Sequence, residues 1–144
     1  DGDVSEGLQR AATDLARIVP VCADLGIRIA FENHEHETSE EILTVVRQVD
    51  SPWVGTLADT GNAMMVWEDP VDAVRNLTHF AVSSHLKDQV VYEEAGEPVV
   101  AGVTLGQGST NCEESFRILA EESPLERINI EVCYDYRAPF RRPM

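Results

Sequence analysis

Four side chains able to hold a metal, Glu32, Asp59, His85 and Glu131, recur along this sequence at intervals of 27 residues (32 to 59), 26 (59 to 85) and 46 (85 to 131). Each closes a short apolar run: Ile27-Arg-Ile-Ala-Phe-Glu32, Trp53-Val-Gly-Thr-Leu-Ala-Asp59, Phe80-Ala-Val-Ser-Ser-His85 and Arg127-Ile-Asn-Ile-Glu131. Three carboxylates and one imidazole form a hard, mostly oxygen donor set, which suits Mn²⁺, Mg²⁺ or Co²⁺ and leaves coordination positions open for substrate oxygens. The competing reading is that each run merely ends in a polar residue facing solvent. Cys22, Cys112 and Cys133 stay outside the set. Odd in number, far apart and without a CxxC pair, they read as free thiols rather than a disulfide framework or a zinc knuckle.

The elements that must position these residues follow from periodicity. The four apolar runs alternate large apolar residues with small or polar ones, a strand period. Before them, Leu8, Ala11, Leu15, Ile18, Cys22 and Leu25 recur at three- and four-residue steps, so Ser5 to Leu25 reads as an amphipathic helix kinked at Pro20 and ended by Gly26. Thr38 with Glu41 is a capping-box pattern opening a second helix to about Asp50, which Ser51-Pro52 breaks. Asp69 as cap and Pro70 at the first helical position start a third. A longer connection, Gln89 to Thr110, contains Leu105-Gly-Gln-Gly108 and leads to a fourth helix capped by Asn111, with Phe116, Ile118 and Leu119 as its apolar face. The third strand is expected to run on to Asp88 and the fourth to Cys133.

The order is thus a helix, three βα units and a last strand, which implies α/β architecture with a parallel sheet. In a parallel barrel all strands end on one face, and alternate residues point inward, so the last inward residue of each strand meets the others in one small volume. A complete (β/α)8 barrel needs about 250 residues. With 144 residues, Asp1 rather than Met at the start, and a stop soon after the last strand, the chain is expected to be a partial barrel truncated at both ends. Its unpaired edge strands would favour poor stability or self-association into homo-oligomers.

Composition narrows the functions. A net charge of −15, from 26 acidic against 11 basic residues, repels a phosphate backbone, so no nucleic-acid partner is expected. No run approaches the roughly 20 apolar residues of a membrane span, and no signal-peptide pattern opens the chain. A cytoplasmic protein without a membrane partner is the expectation.

Phe31-Glu-Asn-His34, Asp59-Thr-Gly-Asn62, His85-Leu-Lys-Asp88, Leu105-Gly-Gln-Gly108 and Ile130-Glu131 together resemble the xylose isomerase-like TIM-barrel superfamily, in its sugar phosphate isomerase/epimerase branch. Each motif is short, but five occur in order, each at an expected strand end or loop. The resemblance implies the C-terminal half of a (β/α)8 barrel, residues 1–144 supplying the last four βα units. It implies Glu32, Asp59, His85 and Glu131 as ligands of one divalent ion, with Glu32 and Glu131 also the acid/base pair. The implied activity is isomerisation or epimerisation of a sugar or keto-sugar, by proton transfer through an enediolate whose oxygens a divalent cation stabilises.

Lys87 and His34 each lie two residues from a ligand candidate, hence on the same side of their strands, and are candidates to bind substrate hydroxyls or a carbonyl. Asn62 joins them as a substrate-binding candidate. It stands where relatives acting on free ketoses, and apurinic endonucleases, often carry a histidine. That departure, with the acidic charge, weighs against a metal phosphodiesterase. A dehydratase of the same superfamily is the nearer rival, because it shares the first proton abstraction. His36, His79, the Gly106/Gly108 turn and the basic Arg137, Arg141 and Arg142 read as surface, capping or rim features.

Overall fold

A computed structural model describes residues 4–143. Helix α1 (Val4–Leu25) precedes strand β1 (Ile29–Glu32), α2 (Ser39–Val49), β2 (Val54–Asp59), a 3₁₀ turn (Asn62–Val66), α3 (Pro70–Leu77) and β3 (Ala81–Leu86). Then come β4 (Asp88–Glu94), β5 (Glu97–Val103), α4 (Cys112–Glu122), β6 (Asn129–Ile130) and β7 (Arg137–Pro139). One sheet has the order β1-β2-β3-β6, with every neighbouring pair parallel.

Local chemistry sets the helix starts. Thr38 Oγ1 accepts the Glu41 N–H while Glu41 Oε2 takes the Thr38 N–H at 2.8 Å, so the capping box forms. Asp69 Oδ1 accepts the Val71 and Asp72 N–H groups ahead of Pro70. The strand period then sorts the side chains. Ala58 packs with Ile42, Leu43, Val74, Leu77, Ile118 and Leu119 under the helices, joined by Phe31 and Ile128. Its neighbour Asp59, one residue on, therefore points to the opposite face of the sheet.

Several elements depart from the sequence expectations. Helix α1 includes Pro20, and of its expected apolar stripe only Cys22 is buried, with Ala12 beside the stripe buried as well, while Ile18 and Leu25 face out. In α4, Ser115 rather than Phe116 joins Ile118 and Leu119 inside, and Phe116 is exposed. The fourth strand pairs only over Asn129–Ile130, plus the Glu131 N–H to Leu86 carbonyl bond at 3.0 Å. As an edge it leaves Ile130 and Val132 exposed.

The long connection is itself structured. β4 and β5 form an antiparallel hairpin whose two-residue turn, Ala95-Gly96, has positive φ at both positions (53° and 87°), the mirror-image geometry that matches strand twist. β7 adds to the far side of β5, making a three-stranded sheet. Met65, Val100 and Ala138 form a second small core there, packed with Met64, Tyr136 and Phe140. Trp67 stacks on Phe140, with ring centroids 3.6 Å apart. Among the described residues, no helix is long and apolar enough to cross a membrane.

The C-terminal tail straps this second unit to the loop after β1. Glu35 is buried and accepts from the Tyr136 hydroxyl and the Arg141 guanidinium. Arg142 reaches the His36 carbonyl at 3.0 Å and Glu41 at 2.7 Å, and Arg137 pairs with Glu94. The three arginines are therefore committed to named carboxylates rather than simply solvated. Burial pushes the Glu35 carboxyl up, but Tyr136 and Arg141 outweigh it and hold the group below its ordinary value of 4.5. Its stabilisation is therefore fully present above 4.5 and lost as the pH falls through that lowered value. Glu35→Gln should cost about 1–3 kcal/mol at neutral pH, and chemical denaturation should show the difference from wild type shrinking in acid. Equal stability of the two proteins at neutral pH would contradict this role.

Candidate metal centre

Asp59 and His85 are register partners at the C-terminal ends of β2 and β3, and Glu32 ends β1 beside them. Ligand atoms of Glu32, Asp59 and His85 all lie within 4.8 Å of one another. His85 Nδ1 faces three carboxylate oxygens: Glu32 Oε1 at 3.3 Å, Asp59 Oδ2 at 3.6 Å and Glu131 Oε1 at 3.6 Å. Asp59 foremost, then Glu131 and Glu32, outweigh partial burial and raise the imidazole above its ordinary 6.5. The fourth candidate, Glu131, thus touches the cluster through His85 without joining its tightest group.

Asp59 is the buried centre, with no exposed surface. Its Oδ1 accepts the N–H groups of Gly61 (2.9 Å) and Asn62 (2.8 Å), so the turn after β2 is built around it. Asn33 locks the backbone of the same residue. Its amide donates to the Asp59 carbonyl at 3.1 Å and accepts the Asp59 N–H at 2.9 Å. Asp59 Oδ2 receives no hydrogen bond of good geometry and is left with the charges of Lys87 Nζ at 2.9 Å and His85 Nδ1 at 3.6 Å.

Lys87 also reaches Glu131 Oε2, at 2.7 Å. Burial raises the Glu131 carboxyl, but Lys87 and then His85 outweigh that and hold it below the ordinary carboxylate value. Three carboxylates thus face one ammonium and one imidazole. That surplus of negative charge and the under-coordinated Asp59 Oδ2 fit a divalent cation held by Glu32, Asp59 and His85, with Glu131 at hand.

The substrate-binding candidates divide. Asn62 is buried and donates to Glu32 Oε1 at 3.3 Å, so its amide orients a ligand candidate. Lys87 is likewise engaged with carboxylates. His34 stands on the exposed rim, because the strand ends at Glu32 and the alternation that would turn His34 inward ends with it. His36 and His79 are exposed. Arg28, Ser83, Arg127 and Asn129, nearer the strand starts, line a separate open hollow that none of the four ligand candidates lines.

Asn33, which locks the Asp59 backbone, is a residue that sequence reasoning missed, since nothing in its type distinguishes an amide that locks a neighbouring strand from one in a loop. The Leu105-Gly-Gln-Gly108 turn has its own anion: Asp88 Oδ2 accepts the Gly106 and Gly108 N–H groups at 2.9 and 2.7 Å, and Oδ1 takes those of Gln89 and Thr110. A Cβ on Gly108 would lie 2.1 Å from Asp88 Oδ1, so glycine is required by the close approach.

A family model described as xylose isomerase-like TIM barrel matches residues 1–141. The chain is 24% identical over 143 residues to the protein YihM of Escherichia coli K12, covering 96% of this chain and 44% of that one. It is 30% identical over 126 residues to an inosose dehydratase of Clostridium botulinum strain Alaska E43, covering 78% and 42%. The chain therefore spans less than half the length of these relatives. In fold it resembles the IOLI protein with a bound zinc atom (TM-score 0.74, 17% identity, 93% of this chain and 50% of that one). It also resembles a Mycobacterium smegmatis xylose isomerase-like TIM barrel protein in complex with magnesium (0.71, 18%, 88% and 44%).

Calorimetric titration of Mn²⁺ separates ligands from bystanders. His85→Ala should weaken binding by about 100-fold or more, Asn33→Ala by about 10- to 100-fold through loss of Asp59 alignment, and His79→Ala hardly at all. Equal effects of the His85 and His79 changes would rule out the assignment.

Proposed function

Because the chain belongs to the xylose isomerase-like TIM barrel family, we propose that it serves a divalent-metal-dependent isomerase or epimerase of sugars or keto-sugars. The observation that carries this reading is the meeting of Glu32, Asp59 and His85 from three consecutive parallel strands, with Glu131 facing the same imidazole.

Moving a proton on carbon beside a carbonyl needs a base at that C–H and stabilisation of the oxygens that gain charge. A bound Mn²⁺, Mg²⁺ or Co²⁺ would supply Lewis-acid polarisation of the carbonyl and of those oxygens. Glu131, kept ionised beside Lys87, is in the form that accepts the proton. Glu32, oriented by Asn62 and 3.3 Å from the same His85 ring nitrogen, would return one. His34 from the rim, with Asn62 and Lys87, would bind substrate hydroxyls.

A second reading, dehydration, is favoured by the relative named inosose dehydratase. The proton abstraction is common to both. The reactions part when the carbanion is either reprotonated or expels a neighbouring hydroxyl.

In D₂O, with ketohexoses and a cyclic polyol ketone as substrates, the wild type should wash deuterium into the carbon beside the carbonyl. Glu131→Gln should retain metal while exchange and turnover fall by about 10²-fold or more. Turnover with no solvent deuterium in substrate or product would contradict carboxylate-mediated proton transfer, and deuterium confined to a dehydrated product would select the dehydratase.

A further inference from the structure

Lys87 is the only lysine in the sequence; the other ten basic residues are arginines. Described arginines such as Arg117, Arg137 and Arg142 form ion pairs at exposed or half-exposed positions. The lysine alone sits where the protein encloses its cation, with 5% of its surface exposed. A guanidinium is a rigid fork matched to one carboxylate, whereas an ammonium is a compact charge on a flexible stem. Between Asp59 on β2 and Glu131 beyond β6, a compact ammonium can leave one carboxylate by small rotations of its stem, where a planar fork has to turn as a unit.

The surroundings fix the backbone of Lys87 and leave room along its stem. The backbone of Lys87 is pinned by Thr60, whose hydroxyl accepts the Lys87 N–H at 2.9 Å and donates to the Lys87 carbonyl at 2.7 Å. The stem runs past Gly61, where a Cβ would come within 3.0 Å of Lys87 Cγ and 2.9 Å of the Gln89 amide. Glycine there leaves the stem its room. The ammonium lies against Asp59 Oδ2, the carboxylate oxygen that carries no hydrogen bond and faces the His85 ring. One oxygen therefore answers to two cations, the resident ammonium and the ion of the metal reading.

We propose that Lys87 is a placeholder cation: its ammonium occupies the carboxylate cage before metal enters, holds Asp59 and Glu131 aligned, and yields Asp59 Oδ2 to the incoming ion while remaining on Glu131. This rests on the metal reading of Glu32, Asp59 and His85. It makes Lys87 a positioning residue that opposes metal binding electrostatically, the reverse of a simple structural support. Removing it should loosen the metal-free protein and tighten the metal complex, because the like charge beside the ion is gone.

The test is calorimetric titration of Mn²⁺, with thermal unfolding in its presence and absence, on wild type, Lys87→Met and Lys87→Arg. Lys87→Met should unfold at lower temperature without metal, bind Mn²⁺ about 10-fold or more tightly than wild type, and gain more from it in unfolding temperature. Lys87→Arg, which keeps the charge on a bulkier planar fork, should bind Mn²⁺ more weakly than wild type, and Mn²⁺ binding by it as tight as by Lys87→Met would overturn the proposal. If Lys87→Met does not fold without metal, lysine-labelled wild type decides by NMR: adding Zn²⁺ should shift the Lys87 side-chain signal, and an unmoved signal would overturn the proposal. Weaker or unchanged Mn²⁺ binding by Lys87→Met would overturn it while leaving the metal site intact. No Mn²⁺ binding by wild type would overturn the metal reading and this proposal with it.

Discussion

A carboxylate removed from water must be paid for with partners, and Asp59, wholly buried, organises this fold around that requirement. Two turn N–H groups satisfy Oδ1, which fixes the chain where it leaves β2. The charges of Lys87 and His85 face Oδ2, which fixes the end of β3 against the end of β2. Without that carboxylate the Gly61-Asn62 turn, the Lys87 position and the Glu131 orientation lose their common reference.

The strand ends are stitched by the residues that follow them. Asn33, just after β1, makes two hydrogen bonds to the Asp59 backbone, and Thr60, just after β2, makes two to the Lys87 backbone. Glu32 and Asp59 are thus each followed by a side chain that sets the next strand's end, a rigid support of the kind a metal centre requires. Asp88 continues the pattern. Its carboxylate takes up the N–H groups of the loop leading to α4, so the acid that ends the His85-Leu-Lys-Asp88 motif shapes the rim and is engaged with protein.

The parallel strands and helix caps were legible because each rests on local signals: alternation to Glu32 and Asp59, Thr38 with Glu41, Asp69 with Pro70. The convergence of Glu32, Asp59 and His85 was legible because parallel topology brings strand ends together. The β4–β5 hairpin was not read, although Val90-Val-Tyr and Val99-Val flank a two-residue turn, because Ala95 is an unusual residue for positive φ. Asn33 and the Glu35–Arg141 pair were beyond sequence reasoning, since they join residues 26 and 106 positions apart. His34 lies outside the cluster for a local reason: a period of two holds only while the strand lasts.

The central claim is that three strand ends hold one divalent ion. Anomalous diffraction from crystals of the protein grown with Mn²⁺ tests it directly. One strong peak bonded to Glu32, to Asp59 Oδ2 and to a His85 ring nitrogen, at the roughly 2.0–2.3 Å typical of such bonds, is the predicted result. A peak held only by exposed surface acids, with Lys87 still on Asp59 and the cluster without density, would contradict it.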